Sequence, residues 1–528
     1  MEENQTWVYE TLPEDRTAIG CRWLFKKKDD GHYKARLVAK GYSQKMGIDY
    51  EQAFAPVAKF TTIRVLMALS CERNWEMCGM DIKTAFLNSE LQETVYMQVP
   101  EGLSASTELS TIDSQQQVAC RLVKSIYGLK QSPCAWYGRI NSIFHSHNFV
   151  RSESDPSLYI NYDMRVIILL YVDDLVLVAP TTETINWIRV MQHQEFHMTD
   201  LGELRTFLGL QIVRNRTQRT LHLSQSNYIE KILIKHGMQA CNPTLTAADP
   251  HIGLEKGSRD FKAGQEEKQG YQSAVGSLIY AMLGTRPDIA YAVAKVSQHS
   301  TNPNQMHWTA VKRIFRYQAG TIDHGLYYGI PGSRIGGSFT DANWGSGEDR
   351  KSIGGYAFLI NGAGVSWNSK KQSTVALLST EAEYMALTQG IKEALWLQAL
   401  LLDLGAREFQ DEIRNIYVDN QGALALARNP EFHARTKHID IQYHFIRQYT
   451  ESQRINLTYC PTGEMTADIF SKGLPEPVFA KHSLGLGLTG KSVKILQPAG
   501  VDRQRGNSGL EGGRVEERTE STGEGACC

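Results

Sequence analysis

Two adjacent aspartates, Asp173 and Asp174, interrupt an apolar, β-branched-rich stretch, Val166-Ile167-Ile168-Leu169-Leu170-Tyr171-Val172-Asp173-Asp174-Leu175-Val176-Leu177-Val178. The pattern predicts a buried hairpin carrying two carboxylates at its tip. A plain turn that happens to use Asp competes with that reading, yet the tip lacks the Asn-Gly or Asp-Gly chemistry that tight hairpins favour. Like charges side by side against an apolar sheet repel each other, and partial burial raises the cost. A divalent cation that prefers oxygen ligands, such as Mg²⁺, removes that cost.

Five further carboxylates stand at or near the ends of expected elements. Asp81 lies on a strand over 75–82, on the face opposite Cys78, Met80 and Ile82. Asp341 lies on a strand over 336–344, which two short strands follow. Glu383 stands near the start of a helix over 380–404, with Leu387, Ile391 and Leu395 on one face and Gly405 as its stop. Taken alone, Glu383 reads equally as half of a capping box, Thr380-x-x-Glu383. Asp419 follows a strand over 416–418, and Asp468 is on a helix after a strand over 457–460.

The cations are local. Arg22, Lys26, Lys27, Lys28, Lys34, Arg36, Lys40 and Lys45 form a patch over residues 22–45 that includes two expected strands, 21–27 and 33–39, joined by an Asp29-Asp30-Gly31 turn. Such a hairpin is either a solvated surface or a grip on phosphates, for which Lys supplies point charge and Arg a bidentate fork. Thr61-Thr62 can cap a helix running through Cys71, and Ser132-Pro133 reads as a helix start. Helices are expected over 184–196 and 227–236, and strands over 204–213 and 220–224. Residues 104–117 read as a surface loop, 242–269 as a polar linker and 271–325 as mainly helical.

In chain order, several motifs carry a resemblance. Lys34-Ala35-Arg36-Leu37-Val38-Ala39-Lys40-Gly41, Met80-Asp81-Ile82-Lys83-Thr84-Ala85-Phe86, Tyr127-Gly128-Leu129-Lys130-Gln131-Ser132-Pro133 and Tyr171-Val172-Asp173-Asp174 resemble the fingers, palm and nucleotide-pocket motifs of reverse transcriptases. Phe207-Leu208-Gly209 falls where that family places its primer-gripping segment. Phe339-Thr340-Asp341-Ala342-Asn343-Trp344, Arg435-Thr436-Lys437-His438-Ile439-Asp440 and Ala467-Asp468-Ile469-Phe470-Ser471-Lys472 are similar to the ribonuclease H part of copia-type LTR retrotransposon Pol polyproteins. The strand-Asp, helix-Glu, strand-Asp, helix-Asp order is that of the ribonuclease H fold.

The resemblance, over residues 4–475, implies an α+β multidomain protein. A right-hand polymerase of fingers, palm and start of thumb would occupy 1–240, with a linker and connection at 241–325. An α/β ribonuclease H-like domain would follow at 326–475, and residues 476–528 read as a disordered tail. It implies two Mg²⁺ on Asp81, Asp173 and Asp174, and two on Asp341, Glu383, Asp419 and Asp468. Lys34, Arg36, Lys40, Phe86, Tyr127 and Gln131 would face substrate, Phe86 lying under the sugar of the incoming nucleotide. The implied partners are an RNA template, a DNA primer, dNTPs and an RNA–DNA hybrid, with a homodimer left open. Some ribonucleases H place a loop histidine before the last aspartate. Thr462-Gly463-Glu464-Met465 stands there, so no histidine role is assigned.

The 528 residues suffice for about three or four domains. Net charge −1 excludes a uniformly basic coat and leaves local patches as the means of holding nucleic acid. No apolar run reaches the roughly 18 residues of a membrane span. The start shows neither basic nor apolar leader regions. Nine cysteines without metal-ligand spacing favour reduced thiols in an intracellular protein, cytoplasmic (in a virus-like particle if the element is intact) or nuclear. No protease, integrase or zinc-knuckle pattern is found, and a start inside the fingers region reads as a truncated copy. A catalytically inactive nucleic-acid-binding remnant is therefore the alternative. Residues 500–525 read as disordered, and Cys527-Cys528 lacks a targeting context.

Overall fold

The apolar run around Asp173-Asp174 is buried on both sides, which is why it reads as a continuous hydrophobic block. In the computed structural model, which describes residues 4–27, 31–103, 117–255, 261–329, 337–345, 347, 349–428 and 440–490, it forms strands Val166–Tyr171 and Asp174–Ala179. They sit in a six-stranded sheet ordered Met198–Glu203, Glu76–Ile82, Asp174–Ala179, Val166–Tyr171, Leu158–Asn161, Val150–Arg151, with antiparallel pairing throughout. Ile167, Leu169, Val176 and Val178 pack with Ile63, Leu66 and Met67 of helix Phe60–Glu72. Val166, Ile168, Leu170, Leu175 and Leu177 pack on the other face with Ile140 and Phe144 of Ser132–Ser146 and Ile185 and Ile188 of Thr182–Glu195. Each fully buried aliphatic side chain contributes about 1.5–3 kcal/mol, so the hairpin tip stands on a stiff base.

Several local expectations change. Helix Phe60–Glu72 is preceded by Lys59 as N-cap with no side-chain cap. The Thr62 hydroxyl instead donates to Asp155 Oδ2 at 2.6 Å. The single strand expected over 204–213 is a hairpin, Thr206–Phe207 with Leu210–Asn215, turning at Leu208-Gly209, where φ is 47° and 72°. Residues 104–116, Lys28, Asp29, Asp30 and 429–439 lie outside the described residues, as does the tail beyond 490.

Two domain boundaries also move. Strand Gly325–Tyr328 pairs with Thr220–Ser224, so a border at 325/326 would cut through a sheet that begins in the first half of the chain. Helix Glu476–Gly485 and strand Leu488–Thr489 are folded, and Leu488–Thr489 pairs with Gly325–Tyr328. The proposed tail therefore starts too early. Between these parts, helices Gln265–Gly284, Ala290–Ser297 and Gln305–Gly320 share a core around Tyr271, Leu278, Val293, Val311 and Phe315.

The last third of the described chain builds a five-stranded mixed sheet, ordered Ala363–Lys371, Ile353–Ile360, Gly337–Asn343, Asn415–Val418, Asn456–Tyr459, with the last two pairings parallel. The 25-residue helix Ser379–Asp403 lies against it. Buried Arg64 ties this sheet to the first half. Its guanidinium donates to the carbonyls of Leu283, Gly284 and Val365 at 2.6–2.8 Å and lies 3.9 Å from the Trp367 ring centre. Trp396 adds an indole bond to the Ser154 carbonyl at 2.9 Å, and Ser152 donates to Asp403 at 2.6 Å.

Two candidate carboxylate centres

The first centre is a product of strand register. Asp174 lies opposite Asp81 on the neighbouring strand, and the Asp173 carbonyl accepts from the Ile82 amide at 2.8 Å. The turn places Val172 at φ 57°, a left-handed conformation that costs a β-branched residue on the order of 1–3 kcal/mol. The Trp136 indole holds it there by donating to the Val172 carbonyl at 2.8 Å. Tyr127 donates its hydroxyl to Asp173 Oδ2 at 3.0 Å, while Asp173 Oδ1 is buried without a hydrogen-bond partner.

Burial raises both Asp173 and Asp174 above the ordinary carboxylate range, and repulsion from Asp81 adds to it. Lys34 acts against the rise at both positions, and Arg36 does so at Asp173. Burial and then the Asp173 charge push the Tyr127 phenol up to about 12, so it remains a donor at neutral pH. The Arg36 guanidinium lies 5.3 Å from the Tyr127 ring centre, and Phe86 meets that ring edge-on at 4.8 Å. Phe86 is 8% exposed, in the short turn Ala85–Asn88.

The structure thus brings Asp81, Asp173, Asp174, Lys34, Arg36, Tyr127 and Phe86 together. Lys40 is elsewhere: its stem packs beside Gly20 and its charge acts on Cys21. Gln131 is 2% exposed, with its amide spent on Gln44 at 3.0 Å and the Asp49 carbonyl at 2.8 Å. Gly128, at φ 94°, has a role that the motif reading passed over. The Ala39 amide donates to the Tyr127 carbonyl at 2.8 Å, and a Cβ on Gly128 would fall 2.2 Å from the Ala39 carbonyl oxygen. Only a bare backbone lets the basic hairpin dock on the Tyr127 turn.

The second centre gathers carboxylates from four elements. Asp341 (2% exposed) is on strand Gly337–Asn343, Asp419 follows strand Asn415–Val418, and Asp468 opens the one-turn helix Asp468–Ser471. One oxygen from each lies within 4.8 Å of the others. Glu383 projects from helix Ser379–Asp403 and is 6% exposed, with Oε2 unpartnered. The capping box does not form: the N-cap is Leu378, and it is Glu381 that accepts from the Leu377 amide at 2.7 Å. A Cβ on Gly390 would meet Thr340 Cγ2 at 2.4 Å, so glycine lets this helix approach the Asp341 strand closely.

Burial, then the neighbouring carboxylates, raise Glu383 far above its ordinary value, raise Asp419, and push Asp468 up to about 7. Hydroxyls orient two of the acids: Thr462 donates to Asp419 at 2.9 Å, and Ser471 donates to Asp341. Crowded, partly unpartnered carboxylate oxygens in both centres are the donor set of a hard divalent cation such as Mg²⁺, and the residues present fit one.

Comparison with known proteins accords with this arrangement. Residues 4–250 match the family described as Reverse transcriptase (RNA-dependent DNA polymerase). A putative transposon Ty5-1 protein of Saccharomyces cerevisiae is 31% identical over 60% of this chain and 100% of its own length. The retrovirus-related Pol polyprotein from transposon TNT 1-94 of Nicotiana tabacum is 40% identical over 91% of this chain, and that from transposon RE2 of Arabidopsis thaliana 37% over 92%. The chain belongs to the Pol polyproteins of copia-type transposons. It spans 36% and 33% of the length of the TNT 1-94 and RE2 polyproteins.

In this member of the family, three side chains at the second centre escaped sequence reasoning. Ser471 and Thr462 carry no signal beyond being hydroxyls near an aspartate. His482, on helix Glu476–Gly485, was lost because that helix was read as tail. It is buried, burial and Lys481 push it down to about 4, and it lies within range of the Asp341 charge. Among the described residues no helix is long and apolar enough to cross a membrane.

Proposed function

We propose that this chain is an RNA-directed DNA polymerase whose second centre cuts the RNA strand of an RNA–DNA hybrid, the substrates being dNTPs and a DNA primer on an RNA template. In this reading, the six-stranded sheet is the palm, the hairpin Cys21–Lys27/Tyr33–Ala39 the fingers, helix Ser226–Lys235 the start of the thumb, and the five-stranded mixed sheet a ribonuclease H-like domain. Asp81, Asp173 and Asp174 would hold Mg²⁺ in one centre, and Asp341, Glu383, Asp419 and Asp468 in the other. Bound there, Mg²⁺ supplies Lewis acidity, making an attacking oxygen more acidic and neutralising phosphate charge.

The chain's own groups do the rest. Tyr127 fixes Asp173 by donating to one of its oxygens and leaves the other for a ligand. Lys34 and Arg36 supply positive charge beside the carboxylates, where a polyphosphate needs it. Phe86 and Tyr127 form an aromatic floor suited to a deoxyribose. In the second centre, Ser471 and Thr462 hold Asp341 and Asp419 in fixed orientation.

The observation that carries the proposal is the register of Asp174 against Asp81 at the tip of a doubly buried hairpin. Primer extension on an RNA template, with Mg²⁺ and with EDTA, tests it. Wild type is expected to extend only with the ion, and Asp173→Asn to bind primer–template but not extend it. Binding by wild type without extension would leave a nucleic-acid-binding protein.

A further inference from the structure

The second centre has a cation of its own. Lys472 follows the helix Asp468–Ser471 in an extended conformation (φ −146°, ψ 158°), and its Nζ lies 2.8 Å from Asp468 Oδ1. The Lys472 side chain is 34% exposed while that of Asp468 is 5%, so the ammonium has a route to solvent that the carboxylate lacks. Its charge reaches the whole cluster: burial and mutual repulsion raise Glu383, Asp419 and Asp468, and Lys472 pulls each back. Burial alone would lower the ammonium, but Asp341, Asp468 and Asp419 hold it above its ordinary value.

Lysine is suited to a temporary post. Its ammonium is a point charge with three donors on a flexible stem, and no fork locks it to a carboxylate as an arginine's would. The carboxylate it engages, Asp468, is one of three, with Asp341 and Asp419, that each place one oxygen within 4.8 Å of the others. A divalent ion drawing on Asp468 and the ammonium therefore compete for one carboxylate.

We propose that Lys472 is a displaceable counter-cation of this centre: it holds Asp468 until a divalent ion binds, and so sets the ion concentration at which the centre loads. The exchange is electrostatic: the ion gains a carboxylate, and the ammonium, still protonated, swings toward solvent. With Lys472 in place, four crowded carboxylates can exist in a folded metal-free protein. The inference rests on the nuclease reading of this centre.

The test uses the full chain with Asp174→Asn added to weaken ion binding at the first centre, and reads Mg²⁺ binding by calorimetry and thermal midpoint without nucleic acid. Lys472→Met keeps the stem and removes the charge. It should tighten Mg²⁺ binding about threefold to tenfold, the scale of one partly screened ion pair. It should also lower the midpoint in EDTA, with the deficit closing at saturating Mg²⁺, and Lys472→Arg should restore the higher Mg²⁺ requirement. Unchanged or weaker Mg²⁺ binding by Lys472→Met, with the Asp174→Asn parent still loading and cutting hybrid, overturns the proposal and leaves the nuclease reading standing. If neither protein binds Mg²⁺ or cuts hybrid, both readings fall.

Discussion

The two carboxylate centres solve the same electrostatic problem with counter-charge from different places. In the first, Asp173 and Asp174 are neighbours in the chain, Asp81 meets them by register, and the nearby cations, Lys34 and Arg36, come from a separate hairpin. In the second, the acids come from four elements, three of them (Asp341, Glu383 and Asp468) are more deeply buried, and the cation comes from the same short segment as Asp468. Cations on a separate arm can be shared with an incoming polyphosphate. A cation inside the cluster instead regulates what enters it. The contrast teaches that burial alone does not describe a metal-ready site, because the origin of its counter-charge also decides how it responds to substrate.

The largest expected effect is the independence of the two chemistries. Asp341→Asn should lower hybrid cleavage by about a thousandfold or more while primer extension stays within a few-fold of wild type. A primed template and a labelled hybrid assayed on one preparation give both rates, and equal loss of both would erase the comparison. Next comes the link between the halves. Arg64→Met leaves three carbonyls, two of them buried, without this donor, which should cost roughly 3 kcal/mol or more in urea unfolding and depress both activities together. Loss of one activity alone would show that each half keeps its own stability.

The smallest effect concerns protons. Asp468, at about 7 in the folded state, binds its proton more tightly there than in the unfolded chain, where a value of roughly 3.9 is ordinary. Its ionisation therefore favours unfolding, with no cost below about pH 4 and full cost above about 7. In EDTA, Asp468→Asn should melt about 1–2 °C higher than wild type at pH 8 and level with it at pH 4. Asp174→Asn should shift the same way by less. An equal gain at both pH values would mean that packing, not charge, separates the centres.

Elements governed by local pattern were legible. The strands Cys21–Lys27, Tyr33–Ala39 and Thr220–Ser224 follow from local pattern and turn residues, and the hairpin with its aspartates follows from two continuous apolar runs. The order of the seven carboxylates took its meaning from the family resemblance rather than from local pattern. What was hidden depends on distant partners. Leu208-Gly209 bends because its two short strands pair with each other and the second, Leu210–Asn215, pairs with Thr220–Ser224, although Leu208 is no turn former. Thr380 and Glu383 have capping spacing, yet Glu383 is drawn inward against Asp341 by helix packing at Gly390. Lys472 had no role beyond its place in the Ala467–Lys472 motif, because only the turn of Asp468–Ser471 brings it back to Asp468.

The small strand Leu488–Thr489 has a consequence for synthesis. The buried His222 ring bonds the Thr489 carbonyl at 3.3 Å across 267 residues of chain, and Leu488–Thr489 completes the sheet that Thr220–Ser224 helps to begin. A ribosome making this protein must therefore translate past Thr489 before that sheet can close, while the strand Gly325–Tyr328 waits with an unpaired edge. Such late closure is slow, and exposed edges invite pairing with other nascent chains. Messages or proteolytic fragments that end short of residue 488 should yield chains that aggregate or are degraded, even though all seven carboxylates precede that point.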